Sequence, residues 1–125
     1  MVDSSWYIGM MRSGNNPMRE LLRISLTRDV ATCGVVRCEV ARGIRDRALL
    51  EKFQKRWDVM LYTSTDNRLW EEVERMAWML DRRGQVIPLT DIIIACCAMR
   101  LGAVVLTLDR HFETIPGLES ANRIV

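Results

Sequence analysis

Residues 91–109 read Asp-Ile-Ile-Ile-Ala-Cys-Cys-Ala-Met-Arg-Leu-Gly-Ala-Val-Val-Leu-Thr-Leu-Asp, and this stretch decides the fold. Its first half, Asp91 to about Leu101, suits a helix that is apolar nearly all round, with Gly102 as the C-terminal stop. A helix without a polar face has to be buried on most sides. Its second half, Ala103–Leu108, is an unbroken apolar run. Such a run suits a strand covered on both faces, as in a parallel sheet wrapped by helices.

The flanking sequence repeats the alternation. Upstream, Asp66–Arg83 places Leu69, Val73, Met76, Ala77 and Leu80 on one helical stripe, with Gly84 ending it. Val59–Tyr62 reads as a strand, preceded by a helix over about Arg45–Trp57 carrying Ala48, Leu49, Phe53 and Trp57 on one face. A short helix, Val35–Arg42, is closed by Gly43 and follows a strand at Val30–Thr32. Asn16 as N-cap and Pro17 at the first helical position open another helix, with Met18, Leu21 and Leu22 as its stripe. Asn122–Val125 reads as a final edge strand. Strands alternating with helices give a three-layer α/β/α fold around a central, mostly parallel sheet. The 125 residues make a single domain.

Composition excludes several classes. With 49% hydrophobic residues, disorder is out. The longest apolar run, Ile92–Met99, falls far short of the roughly 20 residues that span a membrane. Asp3 sits where a signal peptide would need a basic-to-apolar lead, so the expectation is a soluble, cytoplasmic protein. Cys33, Cys38, Cys96 and Cys97 lack the spacing of a zinc site and read as buried thiols. The net charge is +2, yet only Lys52 and Lys55 among the 18 basic residues are not Arg. Arg-rich surfaces suit phosphate and stacked bases, although genomic base composition produces the same bias.

Ligands of open α/β sheets bind beyond the C-terminal ends of the strands. Asp3, directly after Met1-Val2, and Asp109, directly after the central strand, fall there. Asp91 opens the buried helix from the same edge, and Glu39 lies in the short helix among Val35, Val36 and Val40. Each has a plain structural alternative, as a turn or helix-terminus residue. Together, converging carboxylates require protonation or cations. Oxygen ligands favour Mg²⁺ or Mn²⁺ over zinc, and the matching chemistry is metal-assisted displacement at phosphorus.

Four segments also resemble the PIN domain family, and within it the VapC-type toxins of bacterial and archaeal toxin–antitoxin pairs. They are Val2-Asp3-Ser4-Ser5, Glu39-Val40-Ala41-Arg42-Gly43, Leu89-Thr90-Asp91-Ile92-Ile93-Ile94-Ala95 and Gly102 to Phe112. The resemblance spans essentially the whole chain. It implies that Asp3, Glu39, Asp91 and Asp109 are the catalytic, metal-binding set, holding Mg²⁺ with Mn²⁺ as a substitute, in an endoribonuclease acting on a structured RNA. It implies support of these acids by Ser4 and Thr107, a cognate antitoxin as partner, and a homodimer. Several apolar residues usually precede the first acid in the family, whereas only Met1 and Val2 do here, so the first strand is expected to be clipped.

Other residues admit two readings. Arg37, Arg42, Arg45 and Arg47 cluster around Glu39. They suit RNA phosphates or an antitoxin segment, or else a solvated face paired with Asp46 and Glu51. Arg37, Arg42, Arg45 and His111 are the candidate RNA or antitoxin contacts. His111 is the single histidine, which leaves a metal-free mechanism without a second acid–base partner. Trp6, Tyr7 and Met10-Met11 form an apolar segment after Asp3, while Trp70 and Trp78 lie off the main stripe of their helix. These aromatics suit an interface better than base stacking. Two rival readings stand beside the nuclease. A PIN-fold binding module would act through a DNA-binding partner, but four intact acids argue against lost catalysis. A phosphohydrolase of the Asp-x-Asp type fails because Arg110-His111 follow Asp109.

Overall fold

The amide of Asp3 donates to the Leu106 carbonyl at 2.9 Å, and the amide of Leu106 donates to the Met1 carbonyl at 2.8 Å. The first residues of the chain therefore enter the sheet beside one of its last strands. The computed structural model describes all of residues 1–125. In chain order it contains α1 (Ser4–Arg12), α2 (Pro17–Ser25), β1 (Ala31–Cys33), α3 (Gly34–Ala41), α4 (Arg47–Asp58), β2 (Leu61–Thr63), α5 (Asn67–Arg82), α6 (Leu89–Arg100), β3 (Val105–Leu106), a 3-10 turn (Arg110–Thr114) and β4 (Ser120–Ala121).

β1 pairs with β2 and β3 with β4, both in parallel. Val2 bridges Leu106 in parallel and donates its amide to Ala31 at 3.2 Å, which joins the two pairs. The resulting order is β2, β1, the N-terminal segment, β3, β4. The expected parallel α/β fold is present. No helix is long and apolar enough to cross a membrane.

Residues 91–98 of α6 are all buried, as an all-round apolar helix requires. α6 touches α3, α5, β1 and the 3-10 turn. Gly102 just beyond it has φ +62°, a left-handed conformation that only glycine adopts without strain. α5 buries Leu69, Val73 and Leu80, with Met76 and Ala77 half-buried. Asp66 is its N-cap, accepting from the Leu69 amide at 2.8 Å. Asn16 caps α2 through the Met18 and Arg19 amides, with Pro17 in the first position.

The differences have local causes. The segment from Ser4 to Arg12 is a helix, capped by Asp3, and its Trp6 and Tyr7 are core residues rather than interface residues. Helices therefore come in consecutive pairs (α1–α2, α3–α4, α5–α6) instead of strictly alternating with strands. In α2 the buried stripe is Leu21 and Ile24, and Leu22 is exposed. In α4 it is Phe53 and Trp57, while Ala48 and Leu49 face out. The last strand is Ser120–Ala121 rather than 122–125, because Thr107 donates its amide to Ala121 at 2.8 Å and sets the register there. Cys38 is exposed, whereas Cys33, Cys96 and Cys97 are buried and free.

Candidate metal centre

Asp3 leaves the middle of the sheet with its carboxylate held from several sides. Its Oδ2 accepts from Ser5 Oγ at 2.6 Å, Thr107 Oγ1 at 2.8 Å and the Ser5 amide at 3.3 Å. Both hydroxyls are themselves polarised by backbone amides: Leu108 N–H donates to Ser5 Oγ at 3.1 Å, and Asp109 N–H to Thr107 Oγ1 at 2.9 Å. Two consecutive amides at the exit of β3 thus act through two hydroxyls on one carboxylate oxygen. Chained donors of this kind strengthen one another and fix the side chain. Oδ1 stays free of these donors; Ser4 Oγ lies 3.5 Å from it but points its hydrogen bond at Glu39 Oε1, 3.0 Å away. Ser4 therefore ties Glu39, on α3, to Asp3.

On the other side of the centre, Asp91 Oδ2 and Asp109 Oδ1 each lie 3.2 Å from His111 Nδ1. Asp109 is aimed by the 3-10 turn that follows it, accepting from the His111 amide at 2.9 Å. Asp91 enters from the first turn of α6. Burial pushes its carboxyl up to about 6, with the neighbouring charges of Asp3 and Asp109 adding to the rise and the His111 hydrogen bond opposing it. Ligand atoms of Asp91, Asp109 and His111 lie within 4.8 Å of one another.

The structure thus gathers the four acids named from the sequence into one neighbourhood: Asp91 and Asp109 face each other, Asp3 lies close enough to raise Asp91, and Glu39 is linked through Ser4. Ser4 and Thr107 each touch an acid. His111 sits between two carboxylates, in a contact 20 residues long in sequence that local pattern does not encode. Ser5 was missed. Its signal was the hydroxyl doublet after Asp3, but its importance comes from the Leu108 amide, across the fold. Of the arginines, Arg37 is committed elsewhere: its guanidinium lies 5.4 Å above the Trp57 ring and 3.1 Å from Asp58. Arg42 and Arg45 stand exposed between α3 and α4. Arg47 pairs loosely with Glu51 at 3.6 Å.

A parallel sheet in this strand order, with acids at the exits of its central strands, defines the class. A model of the PIN domain family matches residues 1–118, and the chain belongs to that family. Its fold is also that of three solved toxin–antitoxin assemblies. VapBC2 from Rickettsia felis bound to a promoter DNA fragment matches with a TM-score of 0.77 at 16% identity, over 97% of this chain and 96% of that one. DNA-bound VapBC from Salmonella typhimurium matches at 0.76 and 21%, and VapBC-1 from nontypeable Haemophilus influenzae at 0.75 and 21%. Each of these two covers 97% of this chain and 95% of the other. No curated protein sequence matches the chain.

The donor set fits a hard divalent cation. Oxygens of Asp91 and Asp109 and a nitrogen of His111 converge on a partly buried point where Asp91 resists carrying its charge, and a cation there would relieve that repulsion. Ser5→Ala tests the support of the centre. It removes one donor from Asp3 and leaves the Leu108 amide without its acceptor. Outer partners of metal ligands are worth roughly 10–100-fold in affinity or activity. A loss of that size, read as the Mn²⁺ concentration giving half-maximal effect, is expected, with little change in melting temperature.

Proposed function

We propose that the chain is a metal-dependent endoribonuclease, the toxin of a toxin–antitoxin pair, cleaving phosphodiester bonds of a structured RNA. The observation that carries this reading is the convergence of Asp91 and Asp109 on one point, where burial, with the charges of Asp3 and Asp109 adding to it, pushes the Asp91 carboxyl up to about 6. Capping accounts for Asp3 and Asp109 singly but not for carboxylates brought so close together, where repulsion costs stability. Asp3, Asp91, Asp109 and Glu39 would hold Mg²⁺ or Mn²⁺. When bound, such an ion polarises the phosphodiester and lowers the pKa of water.

The chain's own groups then have separate tasks. Asp3 presents Oδ1, because Oδ2 is saturated by Ser5 and Thr107. Glu39, held through Ser4, widens the acidic rim on the α3 side. His111 keeps Asp91 and Asp109 in register and stands half-exposed where a leaving group could meet it. Arg42 and Arg45 supply cations for the RNA backbone beside Glu39, a role for which Arg37 is less suited because Asp58 and Trp57 hold it.

Two partners accompany this reading. The groove between the α1–α2 turn and α4 has Met11, Met18 and Phe53 in its floor and Lys52, Lys55 and Arg56 on its rim. An antitoxin segment with apolar anchors and acidic flanks fits it, and the three structural neighbours were solved as VapBC assemblies. Trp70 and Trp78, 45% and 63% exposed on α5, suit a homodimer face; light scattering at twice the chain mass checks it. The central test is cleavage of a panel of structured RNAs with Mn²⁺ and with EDTA, for the wild type and Asp109→Asn. Cleavage is expected only in the wild type with metal. Activity that persists in EDTA or survives the substitution overturns the reading. Absence of cleavage on every RNA, with a partner still bound, moves the protein to the binding-module class.

A further inference from the structure

We infer that the cleft on the β4 side of Asp109 is a nucleobase subsite, in which Asn122 reads the edge of one base next to the scissile phosphate. The inference deepens the nuclease reading and rests on it for its biological meaning, though base binding is testable alone. β3 and β4 stay paired as far as Thr107, whose amide reaches the Ala121 carbonyl at 2.8 Å. Beyond that point the chains part, with Leu108–Arg110 on one wall and Ser120–Asn122 on the other. The space between them is ≈ 520 Å³, room for a single nucleoside and too little for a folded segment.

This cleft and the metal centre share a wall. Thr107 and Asp109 line both, Thr107 through its bond to Asp3 and Asp109 through its contact with His111. An RNA strand with its phosphate at the acids therefore has a neighbouring base within reach of the cleft. The local charge selects which part of the nucleotide enters. Asp109 and Glu113 outnumber Arg110 among the residues that line the cleft, an excess negative charge that disfavours phosphate. A neutral, flat, polar ring is the complementary occupant.

Two features suit such a ring. Leu108 is 51% exposed at the end of a strand, an apolar surface on which a base can lie. It is one of the residues lining the cleft, and its side chain also packs against Gly9 of α1. Opposite, Asn122 is exposed and its amide makes no hydrogen bond to another protein group. An amide offers a donor beside an acceptor, the pattern that pairs with the adenine edge, and single-stranded RNA bases are read through such edges. The subsite is accordingly assigned to adenine. Two other clefts lack this combination: neither the one between α5 and α6, lined by the Arg100–Asp66 ion pair, nor the α1–α4 groove is lined by any of the four acids.

The test is a titration of isotopically labelled protein with adenosine, guanosine, cytidine and uridine in EDTA, followed by amide shifts. Neutral nucleosides separate base binding from phosphate attraction. Adenosine is expected to move the signals of Ser120–Asn122 most, Asn122→Ala to weaken it about tenfold, and Asn122→Asp, which loses the donor, to weaken it similarly. Asn122 is exposed, so neither variant threatens folding. Equal responses to all four nucleosides, shifts located elsewhere, or binding unchanged in Asn122→Ala overturn the subsite. In parallel, Asn122→Ala is expected to relax base preference at one position beside the cleaved bond in RNAs that the wild type cuts. An unchanged preference there sinks the subsite and leaves the nuclease standing. Adenosine binding lost in Asn122→Ala, with no RNA cut by the wild type, leaves the subsite and removes the nuclease.

Discussion

Asp91→Asn is expected to eliminate RNA cleavage and, in metal-free buffer at pH 7.5, to raise the melting temperature. The two effects have one origin. Burial and the charges of Asp3 and Asp109 hold the Asp91 carboxyl near 6 instead of the usual 3.8. Its folded pKa lies above its unfolded one, so between these values the folded state binds more protons and stability falls as pH rises. Below about pH 4 the penalty is absent; above about pH 6 it is complete. A rise of about two units corresponds to roughly 3 kcal/mol, of which the amide recovers a part. At about 3–6 °C per kcal/mol for a domain of this size, a gain of roughly 5 °C or more is expected at pH 7.5. It should shrink towards zero near pH 4, where wild-type Asp91 is already neutral. Activity moves the other way, by about a thousandfold or more, since charge stabilisation by a held metal is worth several kcal/mol. Calorimetry of both proteins across pH 4–8 in EDTA, with cleavage in Mn²⁺, checks the pair. A lower melting temperature for Asp91→Asn at pH 7.5 contradicts the electrostatic account of the site.

Trp57→Ala is expected to cost about 3–5 kcal/mol, the range for removing a large buried aromatic side chain. Trp57 is fully buried on α4, with its ring 5.6 Å from Phe53 and edge-on to Tyr7 at 6.1 Å. Its Nε1–H donates to Tyr7 Oη at 3.2 Å. Burial raises the Tyr7 hydroxyl to about 12, so it stays protonated and loses a buried partner when the indole goes. The outer face of the same indole carries Arg37. Since small domains have about 5–15 kcal/mol in total, the urea midpoint should fall by roughly a fifth or more. Trp57→Phe keeps much of the packing and should lie between the two. A loss below about 1 kcal/mol for the alanine variant would show that α4 is not anchored through this cluster. Because Tyr7 belongs to the helix that Asp3 caps, weakened metal binding is expected alongside.

How far the sequence reaches depends on how local the cause is. α5 and α6 were legible because periodicity and glycine stops are local, and both elements lie within a residue or two of their expected bounds. α1 was not, since Gly9 interrupts it and its buried face, Trp6 and Tyr7, is defined by α3 and α4 rather than by spacing. Two-residue strands carry no period at all, so β4 was misplaced; its position follows from Thr107 pairing with Ala121. The four acids could be found from topology and family resemblance, because strand exits are predictable places. Of their supports, the family resemblance pointed to Ser4 and Thr107, which do touch acids, but not to the rest. Ser5 matters through the Leu108 amide and His111 through Asp91, and both contacts exist only once distant segments meet.

The bridge between Val2 and Leu106 has a consequence for the order of events on the ribosome. The centre of the sheet joins residues about a hundred positions apart, and such closure is slow relative to local helix formation. Helices α2 to α5 can form while β3 is still unsynthesised, but the acid from position 3 has no counterpart at position 109 until the segment beyond β3 has emerged. Incomplete nascent chains therefore cannot assemble the acidic centre. The topology itself delays assembly of the acidic centre until β3 and the residues after it have been made.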